Sequence, residues 1–205
     1  MPEKNIAVLI SGSGTNLQAL IDAVKSGRIN GKIKIIISNN KEAYGLKRAS
    51  NEGIKGFYLG NNSEENKEDE ILLEILKKEN IDLIVLAGYL KILSENIVDK
   101  YKNKIINIHP SLIPSFCGKN YYGIKVHKEA VDYGVKISGA TTHFVDEKTD
   151  SGPIIMQKTV KVNYEDTAEI LQKKVLKIEH EILVETVMLF CDDKIKVDGR
   201  KVKIK

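Results

Sequence analysis

The chain is poor in the features that mark secreted, metal-dependent or membrane proteins. Among its 205 residues there are two cysteines, Cys117 and Cys191, far apart and without CxxC spacing. Neither a disulfide framework nor a structural zinc site is expected from that pair, and a reducing cytosol fits. The four histidines form no HxxxH pair, so metal catalysis has no sequence support and no metal is expected. No run is long or apolar enough to span a bilayer, and no apolar segment follows the start as in a signal peptide. The expectation is therefore a cytoplasmic protein with no membrane partner. Charge is equally unhelpful to a nucleic-acid reading: the formal net charge is +4 and lysines are mixed with acids along the chain. Only the tail "KIKVDGRKVKIK" is densely basic, and it reads as a solvated C-terminal hairpin rather than a nucleic-acid arm.

What is present is a rhythm. Apolar runs of strand length alternate with longer helical patterns. Strands are expected at Asn5–Ser11, Ile33–Ser38, Lys55–Leu59 and Asp82–Ala87, the last ("DLIVLA") uniformly apolar as at the centre of a parallel sheet. Helices are expected from Thr15 to Ser26, over Ala43–Glu52 with Gly53 as a left-handed cap, and from Ser63 or Glu64 to about Glu79. Ser94 is placed to cap a short helix to Tyr101. Beyond His109 the rhythm changes to a Pro- and Gly-rich loop, a helix near Gly123–Tyr133, and two strands, "KISGATTHFV" and "IIMQKTVKV", expected to pair antiparallel across the polar loop "DEKTDSGP". A long helix from Thr167 to about Phe190 follows. The fold class predicted is α/β, a Rossmann-like doubly wound, mostly parallel sheet with an antiparallel C-terminal portion. One domain is expected over residues 1–205, with a phosphate-binding half of about 1–104 and a catalytic half of about 105–205.

Two motifs carry chemistry. In "VLISGSGTNLQAL" a Gly-rich turn joins the first strand to the first helix, where glycines let backbone approach an anion and the helix start offers free N–H groups. A Walker A loop would need a lysine, and none is there. A dinucleotide fingerprint would need a third glycine where Leu17 stands, and an acid where Ser38, Asn39 and Asn40 stand. A monophosphate is the simplest ligand left, with a plain tight turn as the alternative.

The second motif is "IINIHPS". In a strand, residues i and i+2 share a face, so Asn107 and His109 point one way and Ile106 and Ile108 the other. Pro110 cannot extend a central ladder, which puts the polar pair at the C-terminal rim, where open α/β sheets place ligands. An imidazole there serves as acid or base, and an amide NH2 can donate to a developing oxyanion. The loop after the next strand offers Asp146, Glu147 and Asp150 as partners for the ring, and spacing alone does not choose among them. No activated serine or cysteine is nearby; Cys117 reads as an inert loop residue. Direct transfer to an incoming substrate nucleophile is the implied chemistry.

The stretches "SGSGTNLQAL", "SNNKEAYGLKRA", "LAGYLKIL", "NIHPSLIPSFCGKNYYG" and "THFVDEKTDSGPII", with the Glu179-His180 pair in the last helix, resemble in kind and order the phosphoribosylglycinamide formyltransferases (GAR transformylases). The resemblance implies transfer of a formyl group from 10-formyltetrahydrofolate to the amine of 5-phosphoribosylglycinamide in purine biosynthesis, between small molecules, by a monomer or homodimer. It implies Asn107 holding the formyl oxygen, His109 as acid at the tetrahedral centre, and Asp150 raising the pKa of His109. Gly14, Thr15 and Asn16 would hold the ribose phosphate, and Leu176, Lys177, Ile178 and Glu179 would meet the sugar. Leu90, Lys91, Ile92 and Leu93, with Asn107 and Asp146, Glu147, Lys148, Thr149 and Asp150, would line the folate pocket. There are departures: Glu64 stands where an arginine reaching the folate tail is common, Cys117 replaces a proline, and Thr142 replaces an apolar residue. Two relatives in chemistry, the methionyl-tRNA formyltransferases and the formyltetrahydrofolate hydrolases, would each need a further domain for which the sequence is expected to have no room. A nucleotide-binding module without catalysis is the rival of another class, and it leaves Asn107, His109 and Asp150 without a role.

Overall fold

The computed structural model describes residues 2–60 and 65–205. They form two compact units, divided after Ile106.

In the first unit β1 (Lys4–Ile10), β2 (Gly31–Ser38), β3 (Lys55–Tyr58) and β4 (Leu83–Leu86) alternate with α1 (Thr15–Lys25), α2 (Tyr44–Asn51) and α3 (Glu65–Lys78). Helix α4 (Glu95–Lys100) then leads to β5 (Ile105–His109). The strand order is β3-β2-β1-β4-β5, and β1 runs parallel to both β2 and β4, with β3 parallel to β2. A strand flanked on both sides and covered on both faces must be apolar throughout. Accordingly Ala7, Val8, Leu9 and Ile10 are completely buried, as are Leu83, Ile84 and Val85. Each such aliphatic side chain larger than alanine contributes about 1.5–3 kcal/mol relative to exposure. Helix α2 is followed by Gly53 at φ 66°, the left-handed exit expected there. Ser94 does stand at the N-cap of α4, but the cap is made by its carbonyl, which accepts from the N–H groups of Ile97 and Val98 at 3.1 Å. Its hydroxyl is buried and makes no bond to the helix.

The second unit contains the end of β5, α5 (Ile124–Tyr133), β6 (Ile137–Phe144), β7 (Ile154–Lys161), α6 (Ala168–Cys191) and the hairpin β8 (Ile195–Asp198) with β9 (Lys201–Ile204). β6 and β7 are antiparallel, and their register slips between Thr142 and His143, so that Thr142 faces Met156 while His143 faces Ile154. The basic tail forms the expected hairpin, closed at Gly199 with φ 57°. The chain is thus α/β, its strands mostly parallel and antiparallel toward the C-terminus.

Helix α6 starts at Thr167, whose Oγ1 accepts from the Ile170 N–H, and packs on β6, β7 and α5. Its buried stripe includes Val175, Ile182, Leu183 and Val187. Thr186 breaks that stripe, and its hydroxyl lies 2.8 Å from the Thr142 hydroxyl in a fully buried pair. The threonine that departs from the family pattern at position 142 is therefore satisfied by a second threonine, as a buried hydroxyl must be. No described helix is long and apolar enough to cross a membrane.

Candidate active site

Strand β5 delivers Asn107 and His109 to one face, with Ile106 and Ile108 on the other, both buried. The strand stops at His109, and the loop beyond Pro110 is bound firmly to β6 and β7. The Thr141 hydroxyl donates to the Ser111 carbonyl at 2.7 Å and accepts from the Ile113 N–H at 3.1 Å. Gln157 Nε2 donates to the Ile113 carbonyl at 3.0 Å, and the Ser111 hydroxyl donates to the Ser115 carbonyl at 2.6 Å. So anchored, the loop turns at Phe116, φ 49°, and aims its carbonyl at His109 Nε2, 3.0 Å away.

The carboxylate is supplied by Asp150, at φ 53° in the loop between β6 and β7. Its Oδ2 lies 3.4 Å from His109 Nδ1 and accepts from the Gly118 N–H at 2.8 Å. Its Oδ1 lies 3.4 Å from Asn107 Nδ2. Of the three acids the motif left open, Asp150 is the one against the imidazole. Asp146 instead ties its own loop together, accepting from the Lys148 N–H at 3.2 Å and from the Ser151 hydroxyl. Glu147, Lys148 and Thr149 are exposed. The Arg200 guanidinium, from the C-terminal hairpin, donates to the Ser151 carbonyl at 2.7 Å and braces the same loop.

Asp150 does favour the charged form of His109, as does the Phe116 carbonyl, but burial opposes both and prevails, so the His109 pKa lies below its ordinary value of 6.5. The ring is neutral at pH 7, yet each nitrogen already faces an acceptor. The Asp150 carboxyl, pushed up by burial, is pulled further down by the His143 hydrogen bond, His109 and the Gly118 N–H, and ends below the usual value. It is a carboxylate at neutral pH. The Cys117 thiol, raised by burial and by Asp150, stays protonated and donates to the Pro114 carbonyl at 3.3 Å. This agrees with its reading as an inert loop residue.

Two histidines in this cluster went unnoticed in the sequence. His143 Nε2 stands 3.1 Å from Asn107 Nδ2 and 3.7 Å from Asp150 Oδ1. His127, on α5, is almost wholly buried, and burial and then His109 push its pKa down to about 4. The only signal for His143 was its place in the alternation of β6, two residues after the inward Thr141. The register slip beside it re-aims the side chain, a common use of bulges near active sites.

In the first unit, Gly14 precedes α1 in a left-handed conformation, φ 70°, with Thr15 half-buried and Asn16 buried. Helix α2 holds this turn by its carbonyls: the Gly45 N–H donates to Gly12 O at 3.1 Å and Arg48 Nε to Ser13 O at 2.9 Å. A Cβ on Gly14 would stand 2.9 Å from the Gly45 Cα, so the approach needs glycine. Arg48 and Gly45, absent from the sequence reading of this loop, are its scaffold. Leu90 and Ile92 are exposed, Leu93 is half-buried, and Lys91 pairs with the buried Glu68. The Leu90 N–H donates to the Ser11 hydroxyl at 2.8 Å, tying that loop to the end of β1. In the second unit Leu176, Lys177, Ile178 and Glu179 lie on α6, with Ile178 and Glu179 buried. Glu64 falls outside the described residues. Among the described residues no group of three His, Cys, Asp or Glu side chains is placed to hold a metal ion.

The model of the formyl transferase family matches residues 4–187. The phosphoribosylglycinamide formyltransferase of Haemophilus influenzae is 40% identical over 196 residues, covering 95% of this chain and 90% of its own. The chloroplastic phosphoribosylglycinamide formyltransferase of Vigna unguiculata is 40% identical over 194 residues, 94% of this chain. The match spans 62% of that plant relative's length. Among solved structures, glycinamide ribonucleotide transformylase 1 of Symbiobacterium toebii superposes with a TM-score of 0.93 at 39% identity, covering 98% of this chain and 94% of that one. A formyltetrahydrofolate deformylase of Pseudomonas syringae gives 0.89 at 26% identity, covering 98% of this chain and 66% of its own. The chain belongs to the formyl transferase family, and within it to the phosphoribosylglycinamide formyltransferases.

Proposed function

We propose that the chain, acting as a single domain, transfers the formyl group of 10-formyltetrahydrofolate to the amine of 5-phosphoribosylglycinamide, in de novo purine biosynthesis. The observation that carries this reading is the convergence of Asn107, His109 and Asp150 in one cluster, in a chain whose relatives are named for this transfer. The folate donor draws further support from the deformylase named for formyltetrahydrofolate among the structural matches. The exposed Leu90 and Ile92 suit a flat apolar ring system. On this reading the Gly14–Thr15–Asn16 turn takes the substrate phosphate, and Glu179 with its neighbours on α6 takes the sugar hydroxyls.

The chemistry needs no covalent enzyme intermediate. The amine nitrogen attacks the formyl carbon, and the carbonyl oxygen becomes an oxyanion to which Asn107 Nδ2 donates, a contact worth roughly 3 kcal/mol in acyl transfer. Neutral His109 accepts the proton released by the attacking nitrogen, directly or through water. The imidazolium so formed is stabilised by Asp150 and by the Phe116 carbonyl, and returns the proton to the folate nitrogen as the carbon–nitrogen bond breaks. The starting state differs from a ring held protonated: burial keeps His109 a base until the reaction supplies its proton.

The test is purified protein with 10-formyltetrahydrofolate and 5-phosphoribosylglycinamide, run beside a control without the amine. Formylated amine is the expected product. Formate released at the same rate in the control would instead identify a hydrolase, and no reaction at all would favour a binding module.

A further inference from the structure

The C-terminal hairpin lies beyond residues 4–187, which the family model matches, and has no part in the mechanism above. It is nevertheless built to hold one side chain in place. Ile195, Val197 and Val202 are half-buried between exposed neighbours, so one face of the ribbon is apolar and rests inward. Strand β9 packs beside β7. The Lys205 N–H donates to the Lys194 carbonyl at 2.9 Å and closes the open end. Asp198 pairs with Lys201, which leaves a two-residue turn of Gly199 and Arg200, glycine first with φ 57°. Arg200 thus stands exposed at the tip of a ribbon fixed at its base. Its Nη2 donates to the Ser151 carbonyl at 2.7 Å, a charge-assisted bond.

Ser151 follows Asp150, whose carboxylate faces His109. Asp150 sits at φ 53°, a left-handed conformation that persists where the surroundings hold it. The other bonds of this loop fix its shape rather than its place. Asp146 accepts from the Lys148 N–H and the Ser151 hydroxyl, both within the loop. The neck is closed by the Phe144 N–H, which donates to the Pro153 carbonyl at 2.9 Å. Gly152 packs there too, where a Cβ would stand 1.9 Å from the Phe144 carbonyl oxygen. A loop tied to itself and clamped at its neck can still swing about that neck. Arg200 ties it to a second element, one residue past Asp150. The carboxylate then meets the Gly118 N–H at 2.8 Å and lies 3.4 Å from His109 Nδ1.

We propose that Arg200 is a positioning residue: from the tip of the C-terminal hairpin it holds the loop 146–152 where Asp150 meets His109 and the Gly118 N–H. The hairpin so serves the transfer although it touches no reacting atom. The proposal rests on the formyl-transfer reading for what Asp150 does, and not for where Asp150 is held.

Two measurements on the full chain test it. Arg200 is exposed and lies in a turn, so alanine there leaves the fold intact. In amide hydrogen exchange followed by NMR, Arg200→Ala should speed the Gly118 amide about fivefold, while the Phe144 amide in the neck keeps its rate. In the transfer assay, Arg200→Ala should lower kcat about fivefold and leave KM for the phosphorylated amine within about twofold. In an Asp150→Asn background the same change should cost less than about twofold, because the carboxylate it places is gone. The bond is single rather than a fork, so Arg200→Lys should return both readouts to within about twofold of wild type. An unchanged Gly118 amide, equal kcat losses with and without the Asp150 carboxylate, or a lysine no better than alanine overturns the proposal. Wild-type protein without transfer activity would defeat the proposed function instead, and the Gly118 amide would still decide how Asp150 is held.

Discussion

Asp150 Oδ2 lies 3.4 Å from His109 Nδ1, while the opposite nitrogen of the same ring lies 3.0 Å from the Phe116 carbonyl. The ring is neutral, because burial outweighs the carboxylate, but it sits between two acceptors that fit its charged form. A base so arranged is stabilised only once it has taken a proton. Its rate should therefore follow the neutral form: kcat/KM rises with pH through an apparent pKa below 6.5 and is level from about pH 7 to 8. A pH–rate series checks this; a rise centred above pH 7 would assign the limb to another group.

The phosphate turn gives a second expectation. Arg48 Nε and the Gly45 N–H hold the carbonyls of Ser13 and Gly12, and backbone whose carbonyls are tied back leaves its N–H groups for an anion. Losing one such bond costs about 1 kcal/mol. Arg48→Ala should raise KM for the phosphorylated amine about five- to tenfold with kcat nearly unchanged. An unaltered KM in steady-state kinetics would remove Arg48 from this scaffold.

Thr142 and Thr186 form a buried hydroxyl pair at 2.8 Å. Replacing either alone with valine strands the other hydroxyl, costing about 1–3 kcal/mol, while replacing both is close to neutral. Urea denaturation of the two single variants and the double variant measures the coupling. A double variant as unstable as the sum of the singles would show that the pair does not interact.

Acid should destabilise the protein through His127. Its folded pKa is about 4 against 6.5 when exposed, so the unfolded chain binds more protons between those values and stability falls as pH drops from about 6.5 to 4. The loss amounts to on the order of 3 kcal/mol at the low end. Asp150, with its pKa also lowered, acts in the same direction at lower pH. His127→Gln should flatten the fall in Tm between pH 6.5 and 4.5, and an equally steep fall in the variant would place the proton uptake elsewhere.

The parts legible in the sequence are those set by neighbours in the chain. Period-two alternation with a proline stop put Asn107 and His109 on one rim, and uniform apolarity marked β4 as an interior strand. Asp150 could not be separated from Asp146 and Glu147, because its selection depends on the distant Gly118 N–H and on the left-handed turn at Asp150 itself. His143 was hidden for a related reason. In "ATTHF" it looks like one more inward residue, and only the register slip against β7 aims it at Asn107. The net pKa of His109 likewise depends on burial, which the nearby carboxylate does not reveal. Thr142 stood only as a departure from the family pattern, because its partner Thr186 comes from the distant α6.

The central claim is that His109 and Asp150 act as one unit in formyl transfer. Single-turnover rates of His109→Ala, Asp150→Asn and the double variant test it most directly. Each single variant should be slower by a hundredfold or more, roughly the upper range of positioned acid–base catalysis, and the double variant no slower than the worse of the two. Losses that multiply in the double variant would mean that the two side chains contribute independently, and would contradict the account.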